Sequence, residues 1–173
     1  MADNFFKYWF EGFERFIQNL DDENRISVFR ECGQSCSDSY TKQIYLDEYN
    51  ASIDFNDFLG RLKVKFPEVG FNIIKEGEII ELTYSFCACD LVNKEYIKSP
   101  LLCECSRQSL LYNWGSIFGK ERVNVEIKQS ILAGDSCCKF IIHFNKHDIR
   151  IAQSRTAENP RRFSYPFYPP ANH

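Results

Sequence analysis

The chain has 173 residues, enough for one domain with its own hydrophobic core. A hydrophobic fraction of 44% and a charged fraction of 26% are ordinary for a globular protein. The net charge of −3 gives no electrostatic reason to expect nucleic acid or an anionic membrane surface as partner.

The opening "MADNFFKYWFEGFERF" sets acidic residues among aromatics and lacks a basic start and a small-residue cleavage site. It does not read as a signal peptide, and no apolar run reaches the ~18 residues of a membrane span, so the expected compartment is cytoplasmic. Phe5, Phe6, Trp9, Phe13, Phe16, Ile17 and Leu20 fall at helical spacing. That predicts an amphipathic helix over 4–20, whose aromatic stripe serves core packing or a dimer contact. Asp21 or Asp22 caps a second helix over 23–40, which carries Val28, Cys32 and Cys36 on one face. Ser52 is the expected cap of a third helix over 53–65, ending before Pro67.

The period then changes. "FNIIKEGEIIELTYSF" predicts a hairpin turning at Lys75 to Glu78 around Gly77. Its second strand puts Ile80, Leu82, Tyr84 and Phe86 on one face, with Glu81, Thr83, Ser85, Cys87 and Cys89 on the other. A helix is expected over 105–118, stopped by Gly119, followed by a hairpin of "VNVEIKQSIL" and "CCKFIIHF" about "AGDS". Residues 1–147 thus form a single α+β domain, with N-terminal helices packed on an antiparallel sheet of two hairpins linked by a helix. Residues 148–173 hold four prolines interleaved with Phe163, Tyr165, Phe167 and Tyr168, and predict an extended C-terminal arm that packs its aromatics on the domain or a partner subunit.

All eight cysteines have a near neighbour in sequence. Cys32 with Cys36 share a helix face, Cys87 with Cys89 share a strand face, and Cys103 with Cys105 straddle a helix start where the dipole favours thiolate. Cys137 and Cys138 point oppositely on a strand, and Cys138 has the parity of Phe140, Ile142 and Phe144. Cys32, Cys36, Cys87, Cys89, Cys103, Cys105 and Cys138 are therefore the candidate ligands of zinc or an iron–sulfur cluster. Neither spacing is that of a standard zinc ribbon or ferredoxin run. Two other readings stand beside this one: cysteine as a small buried hydrophobe, and a disulfide framework. Glu81 is either a ligand or a solvated strand residue. His143 and His147 are either acid–base groups or surface residues.

The segment "CECSRQSLLYNWGSIFGKERVNVEIKQSILAGDSCCKFIIHF" resembles the C-terminal half of the 4-vinyl reductase-type domain and its L-2-amino-thiazoline-4-carboxylic acid hydrolase-like relatives. The matching elements are Cys103 or Cys105 opening the helix, Gly119, the Val123–Val125 strand, and Gly134, Asp135, Cys138 and Phe140. The resemblance implies a fold like that of the nitric-oxide-sensing and vesicle-tethering domains, often a homodimer, with a small-molecule pocket between helices and sheet. It also implies a structural zinc held by a cysteine near the helix start, a Glu and a Cys on the next strand, and the cysteine after "GD". Here Cys138 and either Cys103 or Cys105 match, whereas the two middle positions fall on Ile127 and Ser130. The function expected is a small-molecule-binding sensor or accessory domain with a thiolate metal site. The alternative is a hydrolase of a small sulfur- or nitrogen-containing ring compound, using a metal-bound water or a cysteine nucleophile.

Overall fold

Four helices lead into the sheet, and how each begins and ends is set by polar side chains. The computed structural model describes residues 2–145. His147 and the proposed arm of 148–173 lie outside these residues, as do the aromatics assigned to it. Helix α1 (Ala2–Gln18) turns into α2 (Asp22–Cys36) at a corner closed by Arg25. Its guanidinium donates to the carbonyls of Ile17 at 3.0 Å and Leu20 at 2.5 Å, satisfying the last turn of α1. Asp21 caps α2 as expected, accepting from the Asn24 N–H at 2.8 Å.

The second helix does not stop at Tyr40. A π-helical turn (Ser37–Thr41) carries the chain straight into α3 (Lys42–Ala51). The π turn directs Ser37 and Thr41 at α6 (Cys103–Phe118), where Ser37 Oγ meets Ser109 Oγ at 2.7 Å and Asn113 donates to Thr41 Oγ1 at 3.3 Å. Only Tyr45 of α3 is buried, so the sequence offers little periodic signal for this helix. The cap of α4 (Phe55–Lys65) is Asp54, which accepts from the Asp57 N–H at 2.8 Å. Ser52 instead donates to the Tyr49 carbonyl and finishes α3, and Ile53 is exposed.

The sheet is antiparallel throughout, in the order β1-β2-β4-β3. Strands β1 (Val69–Lys75) and β2 (Ile79–Tyr84) form the first hairpin, with Gly77 at φ +68 supplying the turn. Strands β3 (Val123–Gln129) and β4 (Cys138–Phe144) form the second, and β2 pairs with β4 to join the two. Strand β2 ends earlier than its sequence pattern suggests. Tyr84 pairs with Val69 on one side and Cys138 on the other, each the first residue of its strand, so the sheet offers no partner beyond it. Ser85 to Cys89 leave the sheet, Phe86 is exposed, and Cys89 precedes the short helix α5 (Asp90–Asn93). Cys87 and Cys89 therefore do not share a strand face.

The inner face of the sheet presents Ile80, Leu82, Val125, Phe140, Ile142 and Phe144 to the helices. Leu82 lies opposite Phe140, and Ile142 opposite Val125. Above them Tyr45, Phe55, Phe58, Trp114 and Phe118 pack against one another, edge-to-face in the Tyr45–Trp114 pair at 5.4 Å and 86° and stacked in the Trp114–Phe118 pair. A second cluster of Ile17, Phe29, Ile97 and Leu102 seats α1. The outer face of the sheet is mixed, with Ile141 buried opposite Glu81 and Glu81 bridged to Lys139 at 3.1 Å.

Candidate functional site

The cysteines lie on α2, on α6, at the start of β4 and in the 85–89 connection. Helix α6 begins at Cys103, after a 3-10 turn (Pro100–Leu102), so Cys105 is inside the helix instead of at its edge. The turn after β3 is shaped by Asp135, whose carboxylate accepts from the Ser130 N–H at 2.8 Å. That turn presents the Ser130 hydroxyl to Cys103 Sγ at 2.9 Å and the Ile131 N–H to Cys138 Sγ at 3.4 Å. Both cysteines are buried. Cys137 faces away as expected and donates to Gln129 Oε1 at 3.3 Å.

Across the helix interface, Gly33 brings α2 against α6. A Cβ at Gly33 would stand 2.8 Å from the Cys105 carbonyl oxygen and 2.8 Å from the Ser109 nitrogen. Cys32 and Cys36 flank this contact. Cys89 and Cys105 pack against the second apolar cluster. All eight cysteines are unpaired in the structure.

The electrostatics run opposite to the expectation from the helix dipole. Burial pushes the Cys105 thiol up from 9.0 to about 12, reinforced by Cys32, Cys36, Cys89 and Glu104. Burial also raises Cys103, assisted by Cys138, Cys87 and Cys89 and opposed by the Ser130 hydrogen bond. Cys89 is raised by burial against the pull of the Leu91 and Val92 N–H groups. Cys32 and Cys36, although exposed as residues, are raised by partial burial of the sulfur and then by Glu31 and Cys89 respectively. The leading charges acting on these five thiols are acids or other sulfurs. The five thiols are neutral near pH 7.

The donor chemistry suits zinc or an iron–sulfur cluster, but the spacing does not. Among the described residues no three His, Cys, Asp or Glu side chains are placed to hold a metal ion. Ser130, at the position where the resemblance implies a cysteine ligand, instead hydrogen-bonds Cys103. Glu81 pairs with Lys139, which leaves it a sheet-face residue and not a ligand of the sulfurs. His143 lies on the outer face, with Nε2 3.3 Å from Glu126 Oε1.

The space between helices and sheet is filled by the aromatic core. Two buried polar atoms there, Asn113 Oδ1 and Trp114 Nε1, have no hydrogen-bond partner. Two concavities lie at the surface, one along α1 and one between Arg25, Leu101, Glu104 and Ile127. The first is lined by residues of α1 alone, and the second reaches the helix–sheet core only at Ile127, on its edge. Sequence reasoning missed the roles of Ser130 and of the π turn; the Asp135 of the "GD" pair is the one sequence signal that points to the former.

The chain matches no family model and no curated protein to a significant degree. Among the described residues no helix is long and apolar enough to cross a membrane.

Proposed function

We propose that this chain is a sensor or accessory domain that takes up a thiophilic ligand, zinc or an iron–sulfur cluster, at its sulfur seam. The reading is carried by one observation. The turn after β3 touches two buried sulfurs from distant stretches of chain: Ser130 Oγ lies 2.9 Å from Cys103 Sγ, and the Ile131 N–H donates to Cys138 Sγ at 3.4 Å. Cys103 and Cys138 are the buried pair on which such a ligand would rest, and Cys87 or Cys89 the nearest further donors. Uptake would release thiol protons and draw these sulfurs together. The raised thiols weigh against a hydrolase built on a cysteine nucleophile, because the thiolate is the reactive form and it is scarce near neutral pH.

The test is metal analysis with an ultraviolet–visible spectrum of protein purified without oxygen, followed by zinc titration of the reduced apo form. The expected result is bound zinc or cluster iron, lost in a Cys103→Ser/Cys138→Ser variant that keeps its fold by circular dichroism. Protein free of metal that releases no protons on zinc addition would overturn the reading.

A further inference from the structure

We propose that the outer face of α1 is a self-association surface, on which α1 of a second copy packs antiparallel across a two-fold axis at Gly12. This does not rest on the sulfur seam. The inner face of α1 is already used: Phe10, Phe13 and Ile17 pack on Phe29, Ile97 and Leu102. Glu14 Oε1 accepts from the N–H groups of Lys98 and Ser99, both at 2.7 Å, which fixes the rotation of the helix. That rotation turns the remaining aromatics outward. Phe5 is 63% exposed, Tyr8 67%, Trp9 55% and Phe16 54%, whereas Phe6 leans on Tyr96 beside Phe10.

At about 200 Å² per ring, these four leave roughly 500 Å² of aromatic surface uncovered on one chain. That is in the upper part of the range for the largest apolar patch on a monomer. Two copies meeting here would bury about 1,000 Å² of these rings, the area a biological interface has to reach. The area fits a second copy of this helix.

The shape fits as well. Tyr8, Trp9, Gly12, Phe13 and Phe16 line a surface concavity of about 450 Å³ along α1. A Cβ added at Gly12 would meet only the Arg15 guanidinium, at 3.9 Å. Nothing among the described residues requires glycine at that position, and glycine is unfavourable inside a helix. A close approach from outside accounts for it. In an antiparallel pair centred on Gly12, Tyr8 of one copy faces Phe16 of the other, and Trp9 faces Arg15. The second pairing places a guanidinium over an indole twice, by symmetry.

A lipid surface is the competing occupant. Interfacial helices carry a basic polar face, whereas the exposed and half-exposed charges of α1 from Lys7 to Arg15 are two basic and two acidic. The chain as a whole is at −3. The charge pattern therefore favours a second copy.

The test uses the full chain at about 100 µM, well above the micromolar dissociation constants of weak specific pairs. Sedimentation equilibrium should give twice the 20.4 kDa chain mass. Gly12→Leu fills the concavity without an internal clash. It should raise the dissociation constant at least ~100-fold while the melting temperature of the monomer is kept or increased. Trp9→Glu should do the same. A dimer unaffected by both substitutions places the interface elsewhere and overturns the proposal. So does a monomer that cosediments with phosphatidylserine vesicles, which assigns the face to lipid. A monomer whose Trp9 fluorescence is that of a buried indole assigns it to residues 148–173 of the same chain, and likewise overturns it. A monomer with solvated Trp9 and no vesicle binding refutes it outright.

Discussion

Gly33→Ala should destabilise the protein, although alanine is the better helix former. The substitution sits inside α2, where replacing glycine gains about 1 kcal/mol of helix propensity. Against this, the new Cβ would lie 2.8 Å from Cys105 O, 2.8 Å from Ser109 N and 3.0 Å from Gln108 Cβ. Two of these are backbone atoms of α6, so relief requires the helices to part, not a side chain to swing aside. Overpacking of this kind costs about 1–3 kcal/mol, and more where backbone must shift. Parting the helices would also stretch the 2.7 Å contact between the buried Ser37 hydroxyl and Ser109. The net expectation is a loss of about 1–2 kcal/mol, or a fall of roughly 3–8 °C in Tm for a chain of this size. Gly60→Ala is the control. Nothing lies within 4 Å of a Cβ built there, in the middle of α4, so it should raise Tm by about 2–4 °C. Thermal unfolding followed by circular dichroism, with urea midpoints as a second measure, decides the matter. Equal stabilisation by both substitutions would refute the close approach of α2 to α6, and with it the placing of Cys32 and Cys36 beside Cys105.

Two further outcomes are expected. The Cys105 thiol is raised on folding from 9.0 to about 12, so its contribution to stability is complete below pH 9 and is lost as pH climbs from there towards 12. Urea midpoints of the wild type should thus fall more steeply over that window than those of Cys105→Ala, and parallel pH profiles would contradict the assignment. Ser130→Cys brings a third sulfur beside Cys103, in the turn that also contacts Cys138, and should bind zinc at least ~10-fold more tightly than the wild type. Equal zinc affinity by competition with a chromogenic chelator would show that Cys103 and Cys138 do not point at a common centre.

What the sequence disclosed, and what it hid, follows from where each signal resides. Alternation of apolar residues revealed Ile80 and Leu82 as inward-facing, because strand periodicity is local. The same alternation continued through Phe86 to Cys89, where the sheet has no partner strand left, so pattern outlasted pairing. Gly77 and Gly119 marked a turn and a helix end because their positive φ values suit glycine. Helix α3 stayed hidden since one buried tyrosine and a π turn held by Ser109 and Asn113 are tertiary features. Cys138 was legible as inward and Cys137 as outward from strand parity alone. The hydrogen bond from Ser130 to Cys103 spans 27 residues and could not be.

The α6 start shows most clearly how the site's chemistry is decided. A helix N-terminus favours a negative charge by about 0.3–1 kcal/mol when exposed, and by about 2 at most. A thiol raised from 9.0 to about 12 reflects roughly 4 kcal/mol in the other direction. Desolvation therefore outweighs the dipole, and the sulfurs rest as neutral, apolar groups that contribute to the core. Burial, other sulfurs and Glu104 dominate at Cys103 and Cys105, and none of these is a cation that would offset an ionised sulfur. A ligand that needs thiolates must consequently bring positive charge with it. Zinc and iron do this, and a neutral organic molecule does not. Binding of a metal here has to release protons and strengthen as pH rises, whereas binding of a neutral compound in the same place would be indifferent to pH across the neutral range.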